Sequence, residues 1–344
     1  MKTKSNIIDV AKHAGVSMKT VSRVINNESS VKQKTRDIVM ASVKALNYTP
    51  NASARSLRAT RSYSIGYIYD NPNAYYVIDM QNGILNSCRD NHFELLIHPL
   101  DHRSENLKQL LTDVVTNSRL AGVILTPPFS EMSEVSRLMK KLKIPFVNIV
   151  SGNKPSKSRN YVYVDDRKSA YNITQHLIDL GHERIAFLSG EMSHHSSIER
   201  LNGYHDALKD NGIKPRKRLV IDGQYSFESG VEGTEKLLGF KNKPTAIFAS
   251  NDEIAAGAVF QCRLQGVAIP QQISIVGFEN SPYARQTRPK LTTADQPNES
   301  IAEQATNLLI SQIQGWSDQQ VTNKQITTHF SPQLLVREST SRAS

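Results

Sequence analysis

Met18, Lys19, Ser22 and Arg23 fall on the outer side of a short helical period, opposite Val21, Val24 and Ile25. Lys and Arg can donate to guanine O6 and N7, Arg with two parallel bonds, and a Met can pack on a thymine methyl. A solvated helix face explains Lys19 and Arg23 but not an exposed Met beside them. A second set of candidates lies far along the chain. Tyr75 and Tyr76 follow a strand-like run, in a segment (70–77) that reads as a loop with no need of core aromatics, and their rings could stack on a sugar or a base. Arg200 opens a helical segment, and Asn251 and Asp252 stand where a strand gives way to a helix. Asp252 there could serve only as a helix cap.

The first set must be held by small helices. Val10, Ala11 and Ala14 recur at helical spacing, with Asp9 near the positive end of that turn. Gly15 breaks this helix, where a positive φ costs least, and Val16 plugs the corner. Ser17 is a good N-cap for the helix that carries Met18 to Arg23. A third helix, about 34–46, sets Ile38, Val39, Ala41, Val43, Ala45 and Leu46 beside Lys34, Arg36 and Lys44. Three short helices with one core, two of them joined through a Gly turn, make a helix-turn-helix whose second helix enters the major groove by its N-terminal end.

Charge supports that reading. Residues 1–61 hold seven Lys and five Arg against Asp9, Glu28 and Asp37, whereas the other 283 residues are close to neutral. A small basic module on a near-neutral body implies a polyanionic partner.

The body alternates strands and helices. Apolar runs at 64–69, 94–99, 121–126, 145–150, 184–189, 218–223, 245–250 and 274–279 read as buried parallel strands. Helical patterns lie between them at about 104–117, 133–142, 169–180, 198–210, 231–238 and 253–265, and a last long helix spans about 298–314. Two runs of four units predict two parallel sheets with helices on both faces, hence two subdomains. Ligands of such sheets sit at the carboxyl ends of the strands.

Several classes are excluded. The first residues contain no apolar run of signal-peptide length, and no stretch approaches a membrane span. Cys88 and Cys262 have no metal spacing and suit a reduced, cytoplasmic protein. There is no G-x-x-x-x-G-K-[ST] and no G-x-S-x-G, and His194-His195 lacks metal spacing. The carboxylates at 164–166 and 252–253 are poor paired acids. Neither an enzyme nor a metal or other cofactor is expected. A sugar-metabolising enzyme would have no use for the basic head, and an effector-blind DNA protein no use for 280 further residues.

The run "AGVSMKTVSRVIN" and the run "LNYTPNASARSL" together resemble the N-terminus of the LacI/GalR family of bacterial transcription regulators. The resemblance implies a periplasmic-binding-protein-like body behind the helix-turn-helix. It divides the chain into 1–49 (DNA-binding), 50–61 (hinge) and 62–344 (effector binding and dimerisation). The body's subdomains are then about 62–163 with 295–323, and about 164–292 with 326–340. It makes Ser17, Met18, Lys19, Thr20, Ser22 and Arg23 the recognition set. Thr20, Asn27, Thr35 and Tyr48 become phosphate contacts, which set register.

By composition 51–62 reads as a linker. Asn51 could cap a short helix there, of a kind unstable alone. In the family this is a hinge helix formed over the operator centre. Ala54, Arg55, Leu57 and Arg58 fall in it, and Leu57 matches the Leu that wedges between base pairs. The effector set implied is Tyr75, Tyr76, His194, Ser196, Arg200, Tyr225, Asn251 and Asp252. Glu279 and Asn280 depart from the pair of Asp usual in relatives, so no member's cleft chemistry can be copied. The tail "RESTSRAS" lacks apolar heptads, so a homodimer is expected. The implied function is a repressor binding near-palindromic double-stranded operator DNA, switched by a sugar or sugar derivative; a purine corepressor is the alternative.

Overall fold

A computed structural model describes residues 5–25, 31–46, 48, 62–152, 160–315 and 328–343. The chain forms two compact units, Met1–Tyr63 and Ser64–Ser344.

The first unit is three helices: α1 (Ile7–Ala14), α2 (Met18–Ile25) and α3 (Gln33–Ala45). Asn6 caps α1, accepting from the Ile8 and Asp9 amides, while Asp9 accepts back from the Asn6 amide at 2.9 Å. Gly15 ends α1 at φ 65°, the left-handed conformation that favours glycine. Ser17 Oγ accepts from the Thr20 amide at 3.1 Å and so heads α2. Val10, Ala11, Val21, Val24 and Val39 are buried together, with Val16 packed against them. The inward face of α3 differs from the expected one. Ile38 is 45% exposed, and Ala41 and Ala45 are exposed too, whereas Ser42 is buried. The face that closes the core is Val39, Ser42, Val43 and Leu46, spaced three, four and seven residues apart. Ser42 is tolerated there because its hydroxyl meets His13 Nδ1 at 3.0 Å.

The second unit is α/β. In chain order it runs β1 (Ser64–Tyr69), α4 (Ala74–Asp90), β2 (Glu94–Pro99), α5 (Leu107–Asn117), β3 (Gly122–Leu125), a 3-10 turn (Phe129–Glu131), α6 (Ser133–Lys141), β4 (Phe146–Ser151) and β5 (Tyr161–Val164). Then follow α7 (Asp166–Asp179), β6 (Ile185–Leu188), α8 (His195–Asp210), β7 (Val220–Ile221), α9 (Phe227–Leu238), β8 (Ala246–Ala249), α10 (Asp252–Leu264) and β9 (Ser274–Val276). The chain ends with α11 (Pro282–Gln286), β10 (Thr293–Asp295), α12 (Asn298–Gln314), β11 (His329–Phe330) and β12 (Gln333–Leu335).

Strands β11-β5-β4-β3-β1-β2 form one parallel sheet and β7-β6-β8-β9 another. β10 and β12 pair antiparallel beside them. The first sheet thus has six strands rather than four. Its extra members are β5, whose end was expected only as a crossing, and β11, which the sequence division assigned to the other subdomain. His329 and Phe330 instead pair with Tyr163 and Val164. Strands of two to four residues give too short an apolar run to be told from connecting chain by pattern.

Segment 70–77 is also corrected. It is not an open loop: Asn73 caps α4, accepting from the Tyr75 and Tyr76 amides. Val77, Met80, Ile84 and Cys88 then bury one helical face. The Asn-Pro-Asn that reads as a turn is the approach to a cap.

One glycine sets helix spacing near the cleft. A Cβ on Gly203 would lie 2.1 Å from the Arg167 carbonyl oxygen, so only glycine lets α8 lie this close to α7. The same closeness places Arg200, one turn earlier, against the first residue of α7.

Candidate functional sites: an exposed helix and a buried cleft

On α2 the outward residues stand as a surface. Met18 is 44% exposed, and Ser17, Lys19 and Arg23 are exposed, with Thr20 and Ser22 half-buried. Thr35 and Tyr48 are half-buried on the same small unit. Asn27, Ala54, Arg55, Leu57 and Arg58 lie outside the described residues.

The cleft lies between the two sheets of the second unit, at the ends of β1, β4, β5 and β9. Its centre is Arg200, 3% exposed. Its Nε donates to Asp166 Oδ1 at 2.7 Å, and its Nη1 donates to the Ser250 carbonyl at 2.6 Å. The guanidinium carbon sits 3.8 Å above the Phe278 ring. Glu279 Oε1 lies 3.7 Å from Nη1. Burial works against the charge on Arg200, but Asp166, Tyr225 and Glu279 together outweigh it and hold the pKa above its ordinary value.

Among the described residues, several hydrogen bonds join the two halves across the cleft, one of them from Arg200 Nη2 to Gln296 Oε1 at 3.5 Å. Ser151 Oγ donates to Asp166 Oδ2 in a very short bond. Asn73 Nδ2 donates to Glu279 Oε2 at 2.7 Å. The His195 amide, at the start of α8, donates to Glu131 Oε2 at 3.2 Å. The Tyr75 ring meets Tyr283 edge-on at 5.5 Å, also across the cleft. The space left around Arg200 is about 50 Å³, walled by Tyr76, Ser151, Asp166, Arg200, Tyr225 and Glu279 among others.

Of the expected effector residues, Tyr76, His194, Ser196, Arg200 and Tyr225 line this space. The Tyr225 hydroxyl lies 2.7 Å from Ser197 Oγ, and its ring lies 5.8 Å from that of His194. Tyr75, Asn251 and Asp252 do not line it. Asn251 caps α10, accepting from the Ile254 amide at 2.9 Å. Asp252 is fully buried behind the cleft wall, accepting from Thr293 Oγ1 at 2.6 Å and from the Ser281 amide at 2.7 Å. Burial pushes its carboxyl up to about 7.

The sequence reading missed Asp166, Asn73, Gln296 and Glu131, and noted Glu279 only as a departure from the family's pattern. Asp166 stood inside the acidic pair at 165–166, but only the α7 start separates their roles. Asp165 caps the helix through the Lys168 amide, and Asp166 turns in to Arg200. Glu279 follows β9 at φ 102°, a kink that aims its carboxylate into the cleft. Burial raises it to about 8, despite an opposing pull from Arg200. Glu131, on the 3-10 turn, is raised to about 7 by burial.

Residues 6–51 match the family model for bacterial regulatory proteins of the lacI family, and residues 174–340 match that of a periplasmic binding protein-like domain. The chain is 32% identical over 304 residues to catabolite control protein A of Priestia megaterium, covering 88% of this chain and 91% of that one. The chain belongs to the LacI family. The solved lac repressor dimer bound to operator and the anti-inducer ONPF is similar over 98% of this chain and 100% of its own, at TM-score 0.74 and 26% identity. A CelR–cellobiose complex is similar over 97% and 99%, at TM-score 0.70 and 26% identity. This LacI-family chain is accordingly a sequence-specific DNA-binding transcriptional regulator, and its relatives are regulators rather than enzymes. Among the described residues, no helix is long and apolar enough to cross a membrane.

Proposed function

We propose that the chain is a cytoplasmic, homodimeric repressor whose operator binding is switched by a neutral, hydroxyl-rich small molecule, a sugar, held in the cleft around Arg200. The observation that carries the reading is the composition of that cleft. One guanidinium faces the carboxyl groups of Asp166 and Glu279. Carboxyl groups and a shared guanidinium suit hydroxyl groups, which both donate and accept; the guanidinium charge is already matched by Asp166, so no unshared cation is left for a phosphate. The relative solved as a cellobiose complex adds support.

The switch follows from the cross-cleft bonds. A ligand that replaces these bonds with its own favours one separation of the halves over another. Differential affinity for two states is what couples two sites, by about 1–3 kcal/mol in typical cases. At the DNA end, Met18 and Lys19 select bases, Arg23 fixes the helix in the groove, and Thr20, Asn27, Thr35 and Tyr48 hold phosphates. Residues 50–61 are the hinge, with Leu57 the minor-groove wedge flanked by Ala54, Arg55 and Arg58.

Thermal-shift titration of the full chain with neutral sugars and sugar phosphates, paired with operator gel shifts, tests the reading. A neutral sugar should raise the melting temperature and alter operator affinity, and Arg200→Lys should lose both responses. Stronger stabilisation by the phosphates, or full response in Arg200→Lys, would overturn it.

A further inference from the structure

The second sheet carries unlike charge at its two ends. Strands β7, β6, β8 and β9 run parallel, so helix-to-strand connections gather at one end and strand-to-helix connections at the other, the cleft end. The cleft-end connections, at 189–194, 222–226, 250–251 and 277–281, carry Glu191, Asp222 and Glu279 and no Lys or Arg. The far end is the reverse. The connection from α8 to β7 holds Lys214, Arg216, Lys217 and Arg218 within five residues, all exposed. The connection from α9 to β8 adds Lys241 and Lys243, also exposed, and Arg184 stands just before β6. Two contacts bring these segments together. Arg184 Nε donates to the Lys243 carbonyl at 2.9 Å, and the Arg218 guanidinium carbon lies 5.9 Å from the centre of the Phe240 ring. Glu183 is the only carboxylate on the same connections. Among the described residues, none of these cations forms an ion pair. Cations in the last turn of a helix suit its dipole, but that effect ends within the turn. It accounts for Lys209 and Lys236, in the last turns of α8 and α9, and not for the run at 214–218.

We infer that this end of the second unit is a docking surface for duplex DNA, held by its phosphates without base readout and separate from the helix-turn-helix. Cations crowded together without carboxylates repel one another and add nothing to folding, whereas phosphates that exchange their counterions for Lys and Arg bind such a patch. A protein partner fits less well. Protein interfaces centre on apolar and aromatic side chains, and none of the large exposed apolar side chains among the described residues lies on these connections. Exposed Lys and Arg on neighbouring loops suit the regular charge of a phosphate backbone. The inference stands whether or not the effector is a sugar. A chain that reads an operator with α2 and holds other DNA here joins two stretches of duplex.

A capture assay with the full chain tests this. The chain is bound to an immobilised operator duplex, selected from a random pool. A labelled random-sequence duplex of about 30 base pairs is then added at about 50 mM salt. The wild type should retain the second duplex, with log affinity falling against log salt by about 0.9 for each phosphate met. Neutralising the run with Lys214→Gln, Arg216→Gln, Lys217→Gln and Arg218→Gln together should cut retention at least about tenfold. Occupancy of the operator duplex should not change. Lys241→Gln with Lys243→Gln, on a separate connection, should cut retention by a smaller factor, and decides alone should the first variant fail to fold. No retention by the wild type, or equal retention by wild type and variants, overturns the inference. So does displacement of the second duplex by poly-glutamate at a lower charge concentration than unlabelled duplex requires, which would make the partner an acidic protein.

Discussion

The two functional regions are built on opposite principles. The helical unit keeps its chemistry outside: Met18, Lys19 and Arg23 are exposed on a helix held by a core of five buried residues. The cleft keeps its chemistry inside: Arg200, Asp166 and Glu279 are buried and bonded to one another and to backbone. A surface side chain can change without disturbing the fold beneath it, so operator choice is free to vary. A buried charge is bound into stability, so specificity in the cleft is inseparable from folding.

The largest effect that would sharpen this contrast is Arg200→Ala. It strands Asp166 in the interior, so chemical denaturation should show the body destabilised by about 3–5 kcal/mol. Lys19→Ala should leave stability within about 0.5 kcal/mol, as surface changes do. Its operator affinity should nevertheless fall by about 1–3 kcal/mol in gel shifts. Equal stability losses in the two variants would break the comparison. Next comes Gly203→Ala, whose new methyl meets the Arg167 carbonyl and must push α8 from α7. A loss of about 1–3 kcal/mol in denaturant is expected, with DNA contacts by the helical unit unaltered. Substituting Met18 and Lys19 together should change which operator sequences are selected from a random pool, with little change in melting temperature. A uniform weakening on every sequence would show that they touch phosphate alone.

The smallest effect is a pH slope. Burial raises Glu131 and Asp252 to about 7 and Glu279 to about 8, above the ordinary carboxyl range. In that window the folded chain binds more protons than the unfolded one, so stability falls as pH rises. Melting temperature should therefore decline between about pH 5 and 8. Glu131→Gln combined with Glu279→Gln should flatten the decline; an unchanged slope would place its origin elsewhere.

Legibility in the sequence divides along the same line. The capped helices α1 and α2, the Gly15 turn and the outward set on α2 follow from local pattern, because capping and period act within a few residues. Even there Ser42 escaped, since its burial depends on His13, 29 positions away. In the body, the longer strands and most helices were legible from apolar runs. Arg200 lines the cleft, but the residues bonded to it and around it gave no signal that would pair them. Asp166, Glu279, Asn73 and Glu131 come from four separate connections, and no spacing links them. By its position Asp252 could be only a helix cap, and the family resemblance made it a ligand group. It lies instead behind the wall, occupied by Thr293 and the Ser281 amide.

The sequence by itself determined that there is a basic helix-turn-helix, that an α/β body follows it, and that α2 turns Met18, Lys19 and Arg23 outward. These depend on the period of a helix, the chemistry of a cap and the sum of nearby charges, all of which are local. Tertiary structure alone decided which charges meet in the cleft and which bonds join its two halves. Pairing at a distance is set by how sheets and helices stack, and close packing leaves a void only where several distant segments fail to fill the same space.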